Sequence, residues 1–125
     1  MKDEPTDPAD LSTRTKRFAL RVIRLYGALP SSQEARVLGR QFLRSGTSVG
    51  AHYREAKRAR SDAEFISKLE VGLQELDETA YWLELLAEGG IVASERLADL
   101  RDEAHQLTAI LVACVRNAKN TRTSR

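Results

Sequence analysis

Apolar residues recur with a helical period in four successive segments of the chain. In the first segment Phe18, Val22 and Leu25 are spaced four and three residues apart, as on one face of an amphipathic helix. The other segments repeat this spacing, and no stretch of useful length alternates apolar and polar residues as a strand does. The pattern predicts an all-α fold with helices at 12–28, 32–59, 62–88 and 94–118.

Local start and stop signals separate these segments. Pro30 ends the first helix, because the residue before a proline is pushed out of the helical region. The other signals are capping boxes at Ser31 with Glu34 and at Ser61 with Glu64, a left-handed glycine cap at Gly89 and Gly90, and an N-cap at Ser94. Because the connections are short, neighbouring helices run antiparallel, which predicts an up-down-up-down antiparallel four-helix bundle.

The ends of the chain differ from its middle in composition. Residues 1–11 are polar and contain two prolines, which predicts a flexible leader. Residues 12–118 form the bundle, and 119–125 form a basic tail. A single cysteine, Cys114, permits no internal disulfide, and no apolar run approaches the length of a membrane span. We therefore expect a cytoplasmic protein with no membrane contact.

An ordered set of polar and aromatic residues spans nearly 50 positions, between Leu38 and Leu86. It reads Gln41-x-x-Arg44-Ser45-x-x-Ser48-Val49, then Arg54-Glu55-Ala56, then Phe65-x-x-Lys68-Leu69, then Glu75, and then Glu78-Thr79-x-x-Trp82-Leu83. This pattern resembles the bacterial four-helix-bundle family associated with intervening sequences in large-subunit ribosomal RNA genes. The chain departs from it at His52-Tyr53, where the family has Asn-Ile, and at Ala56, where it has Gly.

The resemblance carries several expectations about assembly and function. It implies an up-down bundle that assembles as a ring-shaped homopentamer. No catalysis is established for the family, an RNA link is suspected from gene context, and some relatives serve as RNA-binding accessory proteins beside reverse transcriptases. The resemblance therefore points to the chain itself and to RNA as partners.

Charge is unevenly distributed along the chain. Residues 31–60 carry seven Lys/Arg against two Asp/Glu, whereas residues 61–90 carry one against eight. The arginines that form helical stripes, and are therefore candidates for nucleic-acid binding, are Arg17, Arg21, Arg24, Arg36, Arg40, Arg44, Arg54 and Arg58. Two interpretations remain open: a surface that binds RNA or DNA phosphates, and a solvated face neutralised by carboxylates of a neighbouring helix.

Two further groups of residues suggest an interface and an internal network. A side-chain-free strip on the second helix and apolar residues off the core face of the third predict oligomer contacts at Gly39, Gly46, Gly50, Val71, Tyr81 and Leu85. Polar residues of the family pattern predict a network that fixes the register of helices two and three, with a ligand pocket as the alternative. These residues are Gln41, Ser45, Ser48, Glu55, Glu75, Glu78, Thr79 and Trp82.

Enzymatic chemistry finds no support in the sequence. There is no catalytic triad pattern, phosphate loop or nucleotide fingerprint, and the chain offers one Asp-x-x-His pair, at Asp102 and His105, where a di-metal bundle needs two Glu-x-x-His pairs. We expect no cofactor, no metal and no catalytic residue. The function predicted is a non-enzymatic RNA-binding accessory protein, and the alternative is a protein scaffold that binds no nucleic acid.

Overall fold

The computed structural model describes the backbone of residues 8–124 and the side chains of residues 11–121. Within this part of the chain there are four α-helices and no strand: α1 (Pro8–Gly27), α2 (Gln33–Lys57), α3 (Asp62–Glu88) and α4 (Ser94–Ser124). Sequence neighbours pack against each other, most extensively α2 against α3, and α1 meets α4 over a shorter stretch. The predicted all-α four-helix bundle is confirmed.

A continuous apolar core lies between the four helices. Each helix contributes large side chains that are fully buried, among them Phe18, Phe42, Leu76 and Leu107. The polar residues Thr15, Ser45 and Thr79 are also buried and lie at the α1–α2 and α2–α3 contacts. Since burial of apolar surface is the dominant favourable contribution to folding, these stripes fix which face of each helix remains available for function.

The outer helices are longer than the sequence indicates. α1 begins at Pro8 rather than at residue 12. Proline is tolerated in the first turn of a helix because the backbone N–H that it lacks would have no partner within the helix there. Leu11 is then buried in the core, so residues 8–11 belong to α1. α4 continues to Ser124 through most of the predicted tail, and Nζ of Lys119 lies 3.0 Å from Glu70 on α3. Residues 1–7 of the predicted leader lie outside the described residues.

The ends of α2 and α3 show which cap predictions were right. The N-cap of α2 is Ser32, whose hydroxyl accepts from the N–H of Ala35, so the predicted cap at Ser31 is wrong by one residue. Ser61 caps α3 as predicted and accepts from the N–H of Glu64. At the other end of α3, Gly90 has a φ of 73°, the left-handed conformation that its cap requires.

Candidate nucleic-acid interface

α1 and α2 approach each other closely because three glycines on α2 leave room for α1. A Cβ atom at Gly46 would lie 2.7 Å from Cγ2 of Val22, closer than real Cβ contacts. Gly39 and Gly50 are buried in the same way against side chains of α1 and the residues that follow it. The helix that approaches this strip is α1 of the same chain, so the prediction that the glycines form an oligomer contact is wrong.

A groove runs along the outer side of the seam between α1 and α2 and has a volume of about 920 Å³. Both helices contribute cations to it, and no carboxylate is among the described residues that line it. The lining residues are Ser12, Thr13, Thr15, Lys16, Arg17, Ala19 and Leu20 from α1, and Thr47, Gly50, Ala51, Arg54, Lys57 and Arg58 from α2 and its C-cap. The groove is therefore a cationic surface feature that two helices build together.

Helical spacing explains why the sequence places these cations in one groove. On α2, Ala51, Arg54 and Arg58 are three and four residues apart, so they share one face. On α1, Lys16 and Leu20 are related in the same way. The two faces meet because the glycine strip packs α1 against the adjoining face of α2.

The eight arginines predicted as stripes fall into separate environments. Arg17, Arg54 and Arg58 line the groove, Arg24, Arg36 and Arg40 are exposed elsewhere on the two helices, Arg21 is half-buried on α1, and Arg44 is exposed beside α3. Apart from Arg44, none of them has an ion pair with a carboxylate among the residues whose side chains are described. The lysines Lys16 and Lys57 were missed as site residues, since only the pairing of α1 with α2 brings them into the groove.

Arg44 differs from the other arginines because it forms a bridge from α2 to α3. Its Nη2 lies 2.5 Å from Oε1 of Glu78, and its Nη1 lies 3.0 Å from Oε1 of Glu75. These partners raise the pKa of Arg44 above its ordinary value, the hydrogen bond to Glu78 being the largest cause. Its charge is already matched by two carboxylates, so its assignment to a free phosphate-binding stripe is corrected.

Behind Arg44, a hydrogen bond between two buried hydroxyls joins α2 to α3. Oγ1 of Thr79 lies 2.8 Å from Oγ of Ser45 and also 2.8 Å from the carbonyl oxygen of Glu75. Both side chains are fully buried. Because a slip of one residue would leave both hydroxyls without this contact in the core, the pair fixes the register of the two helices.

The remaining residues of the predicted network have varied roles. Gln41 accepts a long hydrogen bond of 3.4 Å from Nε of Arg44, and Glu55 pairs with Lys68 of α3 at 2.9 Å. Lys68 is the largest cause that lowers the pKa of Glu55. Ser48 donates to the carbonyl oxygen of Arg44 in its own helix, and the buried Nε1 of Trp82 has no hydrogen-bond partner among the described residues. Ser48 and Trp82 therefore do not join the network between helices.

The apolar residues predicted at an oligomer interface are exposed to different degrees. Tyr81 is 52% exposed on α3, while Val71 and Leu85 are half-buried on the same helix. Val37 on α2 is 54% exposed and is not among the residues predicted for an interface. These side chains lie outside the core.

The described residues form neither a metal-binding cluster nor a membrane-spanning helix. No group of three or more His, Cys, Asp or Glu side chains in this part of the chain could hold a metal ion. Burial raises the pKa of the Cys114 thiol, which lies half-buried on α4. None of the helices, as far as they are described, has the length and apolar character needed to cross a membrane.

Comparisons with known proteins agree with this architecture. The family described as "23S rRNA-intervening sequence protein" matches residues 9–113. A crystal structure of a protein of unknown function from the S23 ribosomal protein family of Bacteroides thetaiotaomicron is 36% identical, with a TM-score of 0.82. The alignment covers 87% of this chain and 97% of that one. No curated protein matches. The family match and the structural similarity together show that the chain belongs to the 23S rRNA-intervening sequence protein family.

Proposed function

We propose that the protein is a non-enzymatic accessory module that binds RNA through the outer face of α1 and α2. The observation that carries this proposal is the groove between these helices, whose five cationic side chains face no carboxylate among the described lining residues. The family description, which refers to 23S rRNA, favours RNA over other polyanions. We propose the cytoplasm as its compartment, because its single cysteine forms no internal disulfide and the fold therefore does not depend on an oxidising environment.

Binding of this kind depends on charge rather than on base recognition. Arginine and lysine bind phosphate oxygens and release the counterions that surround nucleic acid. No aromatic side chain is among the described residues that line the groove, and the nearby Tyr53 is buried beneath Lys57, so these residues offer bases no stacking surface. We therefore expect RNA binding that tolerates any sequence and weakens steeply with salt.

Self-assembly is a second part of the proposal, with a homopentamer as the form that the resemblance implies. The surface for it is the outer side of α2 and α3, where Val37 and Tyr81 are exposed and Val71 and Leu85 are half-buried. This surface is separate from the α1–α2 groove, so one subunit can contact another and still bind RNA. Repetition of the groove around a ring multiplies the phosphate contacts of one RNA chain.

The assembly is tested by light scattering on the wild type and on the variant Tyr81→Lys. The wild type is expected to have several times the 14.0 kDa mass of one chain. A lysine in place of an exposed apolar ring places a charge in the contact, so the variant is expected to dissociate at lower protein concentration. A monomeric wild type at micromolar concentration contradicts the assembly.

RNA binding is tested by measuring the affinity for a labelled RNA of mixed sequence at about 50 mM salt. The test variant replaces Arg17, Arg40 and Arg54 by Gln, and its control replaces Arg96, Arg101 and Arg116 of α4 by Gln. Both lose three positive charges, but only the first loses them from the proposed face. We expect the test variant to bind at least about tenfold more weakly and the control to bind nearly as the wild type does.

A scaffold that binds another protein is the competing hypothesis. It is favoured by Arg14 and Arg44, whose guanidinium groups already lie on carboxylates of Glu103 and of Glu75 with Glu78. In that case the remaining arginines pair with acidic residues of a protein partner. Absence of RNA binding by the wild type at about 50 mM salt would favour the scaffold, and equal losses in the two variants would exclude the α1–α2 face as the RNA site.

A further inference from the structure

The α1–α2 groove has small residues at its floor and long cationic residues at its walls. Ala19, Gly50 and Ala51 lie along the seam, and their short side chains leave the groove on its outer side open. Lys16 and Arg17 stand on the α1 side, and the C-terminal cations of α2 stand opposite them. A ligand in the groove therefore has cationic side chains on both of its sides.

The dimensions of the groove restrict what it can hold. Its lining runs from Ser12 to Leu20 on α1 and from Thr47 to Arg58 on the α2 side, which at 1.5 Å per residue is about 12 to 16 Å. Its floor is closed because Gly46 and Gly50 bring the two helices into close contact. The groove is thus short and open on its outer side, which suits one extended chain carrying a few consecutive phosphates.

Several groups in the groove are already held in place by the protein itself. The hydroxyl of Thr15 donates to the carbonyl oxygen of Leu11, and that of Thr47 donates to Leu43. Nζ of Lys57 lies 3.0 Å from Oγ of Ser12, which orients this ammonium group at the end of the groove. The hydroxyl protons of Thr15 and Thr47 are thus engaged within their own helices, and the five charged side chains are the stronger donors to a phosphate.

At its other end the groove has an apolar border. Leu20 lines the groove and is 45% exposed, and Ile23, one turn further along α1, is 47% exposed. Lys16, Leu20 and Ile23 share one face of α1. An apolar surface beside cations can contact the ribose rings of a strand whose phosphates lie among the lysines and arginines.

We propose that the α1–α2 groove holds the sugar–phosphate backbone of a single nucleic-acid strand, with the bases directed towards solvent. The proposal rests on the proposed function and specifies its ligand. A single strand can lie along the floor between the two walls. A duplex is a wide convex rod that contacts only the edges of the groove walls, so fewer of the five cations reach its phosphates.

The first experiment compares charges inside and outside the groove with a labelled single-stranded oligouridylate of about 12 nucleotides, at about 50 mM salt. The groove variant carries Lys16→Gln, Arg54→Gln and Arg58→Gln. The rim variant carries Arg24→Gln, Arg36→Gln and Arg40→Gln, which removes the same charge from the same two helices. We expect the groove variant to lose at least about tenfold in affinity and the rim variant to lose about threefold or less.

The second experiment fills the groove without changing its charge. Ala51 is exposed on the groove floor, so Ala51→Leu adds bulk there with little effect on the fold. Ala109→Leu is the matched control on an exposed position of α4. We expect Ala51→Leu to lower the affinity for the single strand several-fold and to leave the affinity for an RNA duplex of equal length unchanged. The variant should then bind the single strand and the duplex with similar affinity.

The outcomes separate this proposal from the function on which it rests. The groove is not the binding site if the groove and rim variants lose equal affinity for the single strand, or if Ala51→Leu binds it as tightly as Ala109→Leu does. In both cases the wild type still binds RNA, so the proposed function stands. A duplex that binds the wild type more tightly than the single strand would also overturn the groove as the binding site. A wild type that binds neither probe would overturn the proposed function itself.

Discussion

The two seams on either side of α2 use the same kinds of residue in opposite ways. At the α2–α3 seam, Arg44 meets Glu75 and Glu78, and buried hydroxyls meet each other behind it. At the α1–α2 seam, Gly39 and Gly46 meet apolar side chains, and the cations of the groove face no carboxylate among the described lining residues. The first seam satisfies its polar groups internally, and the second leaves its charge available to a ligand.

The difference shows that the neighbouring helix determines whether the charge of an arginine on α2 is neutralised or remains available to a ligand. α3 carries the acidic residues of the chain's middle, so the side of α2 that faces it is neutralised. α1 carries arginines of its own, so the side of α2 that faces α1 accumulates positive charge. The near balance of charge over the whole chain, +2 at pH 7, conceals this division.

The largest stability effect is expected at the α1–α2 seam from Gly46→Val. Its Cβ would meet the methyl groups of Val22 at 2.7 to 2.8 Å, so α1 must move away from α2. Overpacking of this kind costs about 3 kcal/mol, which is measured as a lower free energy of unfolding in urea. Gly27→Ala is the control, since nothing lies within 4 Å of its added Cβ, and it is expected to be neutral or slightly stabilising.

A smaller loss is expected at the α2–α3 seam from Thr79→Val. The change keeps the shape of the side chain but removes the hydroxyl that contacts Ser45, and it leaves that buried oxygen without its partner on α3. We expect a loss of about 1 to 2 kcal/mol in the free energy of unfolding. Thr108→Val is the control, because the Thr108 hydroxyl bonds within its own helix. If both variants lost the same free energy of unfolding, the hydrogen bond between Thr79 and Ser45 would not stabilise the α2–α3 contact.

Replacement of Arg44 by Gln distinguishes a structural arginine from a binding one. Because its ion pairs are exposed, the stability cost is expected to be below about 1 kcal/mol. Because its charge is already matched by carboxylates, RNA affinity is expected to change less than in Arg54→Gln, which removes a charge from the groove. A larger loss of RNA affinity in Arg44→Gln than in Arg54→Gln, measured at equal salt, would reverse the contrast between the two seams.

The smallest effect is expected from the exposed pair of Glu55 and Lys68. The pKa of Glu55 is lowered, so its contribution is present above the ordinary glutamate pKa of about 4.3 and is lost as pH falls through the lowered value. Glu55→Gln should therefore lower the urea midpoint slightly at pH 7, and this difference should shrink as the pH falls below about 4.3. Glu84→Gln, an exposed position on the same helix as Lys68, serves as the control.

The sequence was sufficient for the fold because the helices bury wide apolar stripes at regular spacing. Its start and stop residues placed most helix ends within a few positions, with the largest difference at the C-terminus of α4. Ser31 and Ser32 are adjacent candidates for the same cap, and only the backbone conformation selects Ser32. Pro5 and Pro8 suggested a loose leader, but proline at the start of a helix is well tolerated.

The site was harder to predict because it depends on which faces meet. Helical spacing identified the stripes that contain Arg54 and Arg58, but it could not show that Lys16 would stand opposite them. The glycine strip indicated a close helix contact, and the identity of the approaching helix required the structure. Spacing on α2 also grouped Arg44 with the free arginines, because its partners lie 31 and 34 residues away on α3.

If the charge at the α1–α2 seam binds phosphate, the groove cations must contribute to the salt dependence of RNA affinity. Each neutralised phosphate of a single strand contributes about −0.7 to the slope of log K against log salt. We expect the groove variant, lacking Lys16, Arg54 and Arg58, to have a slope shallower than that of the wild type by up to about 2, and removal of three arginines from α4 to leave the slope unchanged. Equal slopes for the groove variant and the wild type would contradict phosphate binding at this seam.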